Sequence, residues 1–286
     1  MSELPMTVRA DGLPDRVTIY EVGPRDGLQN ERALVPTGVK AEFVQRLLAA
    51  GLPVVEATSF VHPRWVPQLA DAAELMTMLG ETGRDCPVLV PNERGLDRAL
   101  ELGARHIAIF GSATETFAQK NLNRGLDEQF AMFEPTVRRA RDAGLDVRAY
   151  VSMCFGDPWE GRVPVEQVVG VGKRLFDLGA GQLSLGDTIG VGTAGHVTAL
   201  VDGFVAAGMG TGQLAMHFHD TYGQALANTL AALHAGITTY DASAGGLGIE
   251  TGVDLGQVVA TSVWMAGHLG RPSPSAVVRA LAESVA

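Results

Sequence analysis

The chain has 286 residues, 46% of them hydrophobic, which is enough for one large α/β core and sets no need for a second domain. Its 32 acidic and 22 basic residues leave a net charge of −10, which argues against a general nucleic-acid binder, because that role needs a basic surface. Two cysteines, Cys86 and Cys154, rule out a disulfide framework or a zinc-finger spacing and fit a reducing, cytoplasmic setting. Met1 to Asp15 lacks the basic start and apolar run of a signal peptide, and no apolar run reaches transmembrane length, so no membrane partner is expected.

Short β-rich runs alternate with amphipathic stretches. The strands expected are Val17–Val22, Val54–Ser59, Pro87–Val90, His106–Phe110, Val147–Met153, Gln182–Leu185, Leu214–Phe218 and Thr238–Ala242. Helical spacing falls on Thr37–Ala50, Val66–Leu79, Glu93–Leu102, Glu128–Ala143, Val165–Leu178, Thr193–Ala207 and Tyr222–Ala235. Gly51, Gly103, Gly144, Gly179, Gly208 and Gly236 stand where a helix is expected to end. Eight such units in one chain predict an α/β fold, a (β/α)8 TIM barrel forming a single domain over residues 1–286. A doubly wound sheet is the alternative, but Gly23-Pro24-Arg25-Asp26-Gly27 after the first strand is not the Gly-rich phosphate fingerprint that fold usually carries.

In a barrel the chemistry sits where strands end. Arg25 and Asp26 follow strand one: Asp26 can ligate a metal and Arg25 can steady a developing oxyanion, although a plain surface ion pair has the same sequence. Glu56 lies in an otherwise apolar strand two and needs a partner, with Arg25 the obvious one. Lys120 and Arg124, after strand four, are expected to be solvated charges, with an anionic substrate tail as the other use. Cys154, after strand five, reads as a buried inert thiol. Asp187, after strand six, is a candidate proton-transfer carboxylate or a helix N-cap. His217 and His219 alternate on strand seven and so point the same way, as two imidazole ligands would. His62, His106, His196, His234 and His268 fall in less informative places.

These motifs together resemble those of 3-hydroxy-3-methylglutaryl-CoA lyases. The resemblance is carried by Glu21-Val22-Gly23-Pro24-Arg25-Asp26-Gly27-Leu28-Gln29-Asn30-Glu31, by Val55-Glu56-Ala57-Thr58-Ser59-Phe60-Val61 with Trp65-Val66-Pro67-Gln68, by Leu185-Gly186-Asp187-Thr188-Ile189-Gly190, and by His217-Phe218-His219-Asp220-Thr221-Tyr222-Gly223. It runs from about Val17 to Gly248. It implies a metal-dependent carbon–carbon lyase that cleaves 3-hydroxy-3-methylglutaryl-CoA to acetoacetate and acetyl-CoA. A divalent metal, Mg2+ or Mn2+, would be held by Asp26, His217 and His219. Arg25 and Gln29 would contact the acyl-CoA substrate, Glu56 would orient Arg25, and Asp187 would share in proton transfer. A homodimer is also implied.

The likeness breaks after the eighth strand. Lyases of this kind continue Gly-Leu-Gly-Gly-Cys-Pro into a loop carrying a catalytic cysteine, then an Asn that completes the metal shell and a helix. Here Gly245-Gly246-Leu247-Gly248 runs straight into Ile249-Glu250-Thr251-Gly252-Val253-Asp254, which reads as an internal deletion between two similar Gly-Leu-Gly sequences. Leu255–Leu269 is expected to be a helix that takes the vacant place, with Ala276–Val285 as the terminal helix. The alternatives this raises are a lyase or aldolase acting on another acyl-CoA or a 2-oxo acid, and a catalytically silent barrel serving as a partner subunit.

Overall fold

The computed structural model describes residues 10–29, 31 and 33–247. Nine strand segments lie in one wholly parallel sheet: β1 (Thr18–Glu21), β2 (Val54–Val55), β3 (Thr58–Ser59), β4 (Val88–Leu89), β5 (His106–Ser112), β6 (Asp146–Ser152), β7 (Gln182–Asp187), β8 (Leu214–Phe218) and β9 (Thr239–Ala242). Their order is β2-β1-β9-β8-β7-β6-β5-β4-β3. The two outermost segments, β2 and β3, are halves of one strand interrupted at Glu56-Ala57. The Glu56 N–H donates to Glu21 of β1, and the next N–H, Ala57, donates across to Pro87 beside β4. Eight strands therefore close into the expected (β/α)8 barrel, with the seam inside the second.

The helices are α1 (Thr37–Ala49), α2 (Ala72–Leu79), α3 (Glu81–Asp85), α4 (Glu93–Glu101), α5 (Glu115–Leu122), α6 (Leu126–Asp142), α7 (Val165–Leu178), α8 (Ala194–Ala206) and α9 (Ala225–His234). All six glycines expected after helices have positive φ, between +73° and +116°, the left-handed turn that glycine makes at least cost. Two expectations need correcting. The stretch Val66–Leu79 begins with a 3-10 turn at Pro67–Leu69, and its helix starts only at Ala72. The run after β5, to which helical spacing assigns no element, holds a helix, α5. The expected helices Leu255–Leu269 and Ala276–Val285 lie outside the described residues.

Side-chain alternation along the strands divides the core in two. Val147, Ala149, Val151, Leu183, Leu185, Leu214, Met216 and Phe218 face the helices in the large outer core. Inside the barrel the apolar cluster is small: Tyr20, Val22, Leu89, Ala108 and Tyr150. The intervening positions of β6 to β9 carry Arg148, Ser184, His217 and Asp241, all buried. A barrel interior is usually filled by branched apolar side chains; here half of the filling is polar and must find its partners internally.

Candidate active site

β1 ends in a single π-helical turn, Gly23–Gly27, in which the Asp26 and Gly27 N–H groups both donate to the Val22 carbonyl. Such wide turns bring adjacent side chains into an unusual relation and recur at functional sites. The turn is packed hard against the exit of β9. A Cβ on Gly23 would lie 2.5 Å from Glu21 Oε1, and one on Gly27 would lie 2.7 Å from the Leu247 Cβ. Glycine here is a matter of space, and it seats the turn so that Arg25 and Asp26 enter the mouth.

Arg25 is 6% exposed and Asp26 8%. Arg25 Nε donates to Glu56 Oε1, and Nη1 donates to Asp26 Oδ1 at 2.5 Å. Burial alone would lower the pKa of Arg25, but the charges of Asp26 and Glu56 outweigh it and hold the guanidinium protonated. Glu56, fully buried, takes two more donors: the hydroxyls of Tyr20 (3.0 Å) and Tyr150 (2.6 Å) reach its Oε2. Glu56 thus has the partner that its place in an apolar strand demanded, and two that sequence reasoning did not foresee.

His217 and His219 come together as alternation requires, their ring centroids 5.0 Å apart. His217 Nε2 is 3.8 Å from Asp26 Oδ2, and its Nδ1 is 3.1 Å from Asp241 Oδ2. His219 Nδ1 lies 2.9 Å from the Asp187 carbonyl oxygen. Since each Nδ1 is engaged by an acceptor, Nε2 is the nitrogen each ring offers as a ligand. Desolvation pushes His219 down to about 4, helped by the neighbouring His217, so it stays neutral, as a ligand must. For His217 desolvation acts in the same direction, but the bond and charge of Asp241 prevail and raise it.

The chemistry of these donors, two imidazoles and a carboxylate, fits a divalent cation. Among the described residues, however, no three His, Cys, Asp or Glu side chains are drawn tightly enough together to hold one unaided. One oxygen of Asp26 is already taken by Arg25.

Asp187 lies on the same strand face as Leu183 and Leu185, which pack in the outer core. Its carboxylate, fully buried, accepts from the Val191 and Gly192 N–H groups, both at 2.9 Å. Burial lifts it to about 6 against the pull of those amides. The side chain thus ties down the loop that follows β7, while its carbonyl steadies His219.

A cavity of about 790 Å³ opens at this end of the barrel, lined among others by Arg25, Asp26, Gln29, Tyr150, His217 and His219, with Lys120 and Arg124 at its edge. The Lys120 ammonium sits 4.9 Å from the Trp159 ring centroid, and Arg124 donates to the Asn123 carbonyl. Both side chains are exposed. Cys154 is fully buried, donates to the Val151 carbonyl at 3.1 Å, and burial pushes its thiol far up. His62 reaches the cavity wall, where its Nδ1 accepts from the Arg64 N–H, while His268 lies outside the described residues.

Fold and site together define a (β/α)8 barrel with a charged, histidine-bearing pocket at the carboxyl ends of its strands. The chain belongs to the HMGL-like family, whose model matches residues 16–269, and it is similar to proteins named hydroxymethylglutaryl-CoA lyase. The mitochondrial lyase of Arabidopsis thaliana is 44% identical over 296 aligned positions, which cover 94% of this chain and 63% of the relative. The chain therefore spans a little under two thirds of that relative's length. Since 296 positions exceed the 286 residues of the chain, the alignment sets residues of the relative opposite gaps here. The crystal structure of the Bacillus subtilis HMG-CoA lyase is 42% identical with a TM-score of 0.85, covering 92% of this chain and 89% of that one. An HMG-CoA lyase from Acinetobacter baumannii, solved with coenzyme A and 3-methylmalate, is 31% identical with a TM-score of 0.82, covering 93% and 87%. Relatives include mitochondrial and cytoplasmic forms, and no described helix here is long and apolar enough to cross a membrane.

Proposed function

We propose that this chain cleaves 3-hydroxy-3-methylglutaryl-CoA to acetoacetate and acetyl-CoA, a retro-Claisen reaction. The observation that carries the reading is the meeting of Arg25, Asp26, His217 and His219 on the wall of one cavity, in a chain whose relatives are named for this activity. Asp26, His217 and His219 would hold a divalent ion, Mg2+ or Mn2+. When bound, such an ion would supply Lewis acidity that eases loss of the tertiary hydroxyl proton to water in the mouth.

The residues themselves do the rest. Arg25 is fixed on one side by Glu56 and on the other by Asp26, so its remaining edge can meet the thioester oxygen on which negative charge develops. A donor already in place needs no reorganisation when that charge appears. Tyr20 and Tyr150, by saturating Glu56, keep the carboxylate from turning towards the substrate. Gln29 binds beside Arg25. Asp187 ties down the loop after β7 and, through its carbonyl, steadies His219. Lys120 and Arg124 draw the phosphates of the acyl-CoA to the mouth over long range.

No cysteine follows Cys154 in this chain, and Cys154 is an unreactive thiol in its buried seat. Water entering the open mouth therefore protonates the departing enolate, and turnover is slowed by roughly 10²–10⁴ relative to a site with its own acid. A homodimer and a cytoplasmic location complete the proposal, and sedimentation of the purified chain tests the first.

The test is single-chain turnover: acetoacetate followed over time with Mg2+ or Mn2+, with Asp26→Ala as the control. Product that requires both the metal and Asp26 supports the reading. A folded protein that binds metal yet makes no acetoacetate would sink it. A panel of other 3-hydroxyacyl-CoA and 2-oxo acid substrates, and a search for a co-purifying full-length lyase, would then separate the two remaining readings, an altered substrate and a silent partner subunit.

A further inference from the structure

We propose that Asp241 is a positioning residue that fixes His217 in the tautomer whose Nε2 lone pair is free to bind a metal ion, with Arg148 and Ser184 holding Asp241 in place. This rests on reading His217 as a ligand.

Asp241 stands on β9, inside the barrel, 2% exposed. Its Oδ2 takes the Ser184 hydroxyl at 2.6 Å and lies 3.1 Å from His217 Nδ1, while its Oδ1 takes Arg148 Nη2. An ionised carboxylate can only accept. The proton of a neutral His217 must then sit on Nδ1, and the lone pair on Nε2, the nitrogen 3.8 Å from Asp26 Oδ2.

A plain structural ion pair would look different. Arginine and carboxylate pair best through two parallel bonds, yet only one nitrogen of Arg148 reaches Asp241. Among the described residues Arg148 Nε and Nη1 are buried without a hydrogen-bond partner, a costly arrangement if stability were its only purpose. What holds Arg148 is stacking: its guanidinium lies 3.7 Å from the Tyr20 ring centroid and 5.1 Å from that of Tyr150. The second carboxylate oxygen is thereby kept from arginine and left for serine and histidine. Those two tyrosines are also the ones that fasten Glu56, and through it Arg25 and Asp26. The buried chain of contacts leaves His217 by Asp241 and returns to it by Asp26. His219 needs no such carboxylate, because a backbone carbonyl performs the same service.

Two measurements on the metal-free protein test this without any substrate. Long-range ¹⁵N–¹H correlation spectra above pH 9 report which nitrogen of His217 carries the proton, and Mn2+ titration followed by electron paramagnetic resonance reports affinity. Wild type should show the proton on Nδ1. In Asp241→Asn the amide oxygen faces Arg148 and the NH2 faces His217, so the proton moves to Nε2 and Mn2+ affinity falls roughly 10- to 100-fold. His217→Ala should weaken binding as much, and the double variant no further. A wild-type His217 protonated on Nε2 would overturn the proposal whatever the variants do, and so would Asp241→Asn with unchanged tautomer and Mn2+ affinity within two-fold. If Asp241→Asn does not fold, the wild-type spectrum still decides, and Ser184→Ala, which removes one bond to Oδ2, should loosen Mn2+ by a smaller factor. The stated tautomer with tight Mn2+ binding but no acetoacetate would support this role for Asp241 and remove the lyase reading.

Discussion

On the floor of the barrel mouth, Arg25, Asp26, Glu56, Arg148 and Asp241 are all at most 8% exposed, and each has an opposite charge bonded to it. On the rim, Lys120 and Arg124 are exposed and, among the described residues, meet an aromatic face and a carbonyl. The floor charges are locked in one geometry before any ligand arrives, and low dielectric makes each of them strong and each of their losses expensive. The rim charges act through water, over a distance that salt shortens. One region is built for orientation and the other for attraction, and substitutions in the two should fail in different ways.

The largest effect is expected on the floor. Arg25→Met removes the donor to the developing oxyanion, so kcat should fall roughly 10²–10³-fold with a smaller change in KM. A loss confined to KM would place Arg25 with the rim and break the contrast. Next comes Glu56→Gln, which leaves the buried guanidinium with Asp26 alone. Urea unfolding should register a loss of about 3 kcal/mol, and kcat should drop along with stability.

The third prediction concerns Glu21, buried beneath the π-turn, whose Oε1 accepts from Gly23 and Ala244 while Oε2 has no hydrogen-bond partner among the described residues. Burial lifts this carboxyl from 4.5 to about 7, the two amides opposing it. The folded protein therefore keeps a proton that the unfolded chain gives up. Its stabilising effect is whole below pH 4.5 and lost as pH rises through 7, by about 3 kcal/mol. Glu21→Gln lacks this titration, so its stability relative to wild type should improve by that amount between pH 4 and pH 8. Parallel urea curves at the two pH values would show that Glu21 is not protonated in the fold. The smallest effect is expected at the rim: Lys120→Ala with Arg124→Ala should raise KM a few-fold, less so in high salt, and shift stability by no more than about 0.5 kcal/mol.

The eight-unit alternation and the six helix-ending glycines could be read from the sequence because each depends on local spacing, and the convergence of Asp26 with His217 followed from the barrel order that this alternation implies. The interior network could not be read so fully, although a signal was present. Arg148 and Asp241 interrupt apolar strands just as Glu56 does, and the same argument, that a buried charge needs a partner, would have singled them out. Their pairing spans 93 residues and depends on which strands end up side by side. Asp187 illustrates parity: its strand end was legible, but its place in step with Leu183 and Leu185, on the helix side, shows only once that face is known to be the outer core. The break in strand two falls on Glu56-Ala57, the pair with the weakest β preference in Val54–Ser59, a signal too slight to mark an interruption by itself.

That break has a bearing on how the barrel breathes. Neither half of the strand is registered with its neighbour over more than two residue pairs, against seven between β5 and β6. Amide hydrogen exchange should be faster along this line than between β5 and β6, since opening there costs fewer ladder bonds. The ion pair of Arg25 with Glu56 sits across it like a clasp. An opening of the wall along this line would fall where the chemistry is, and the charge that would orient a substrate is also the charge that keeps the wall shut.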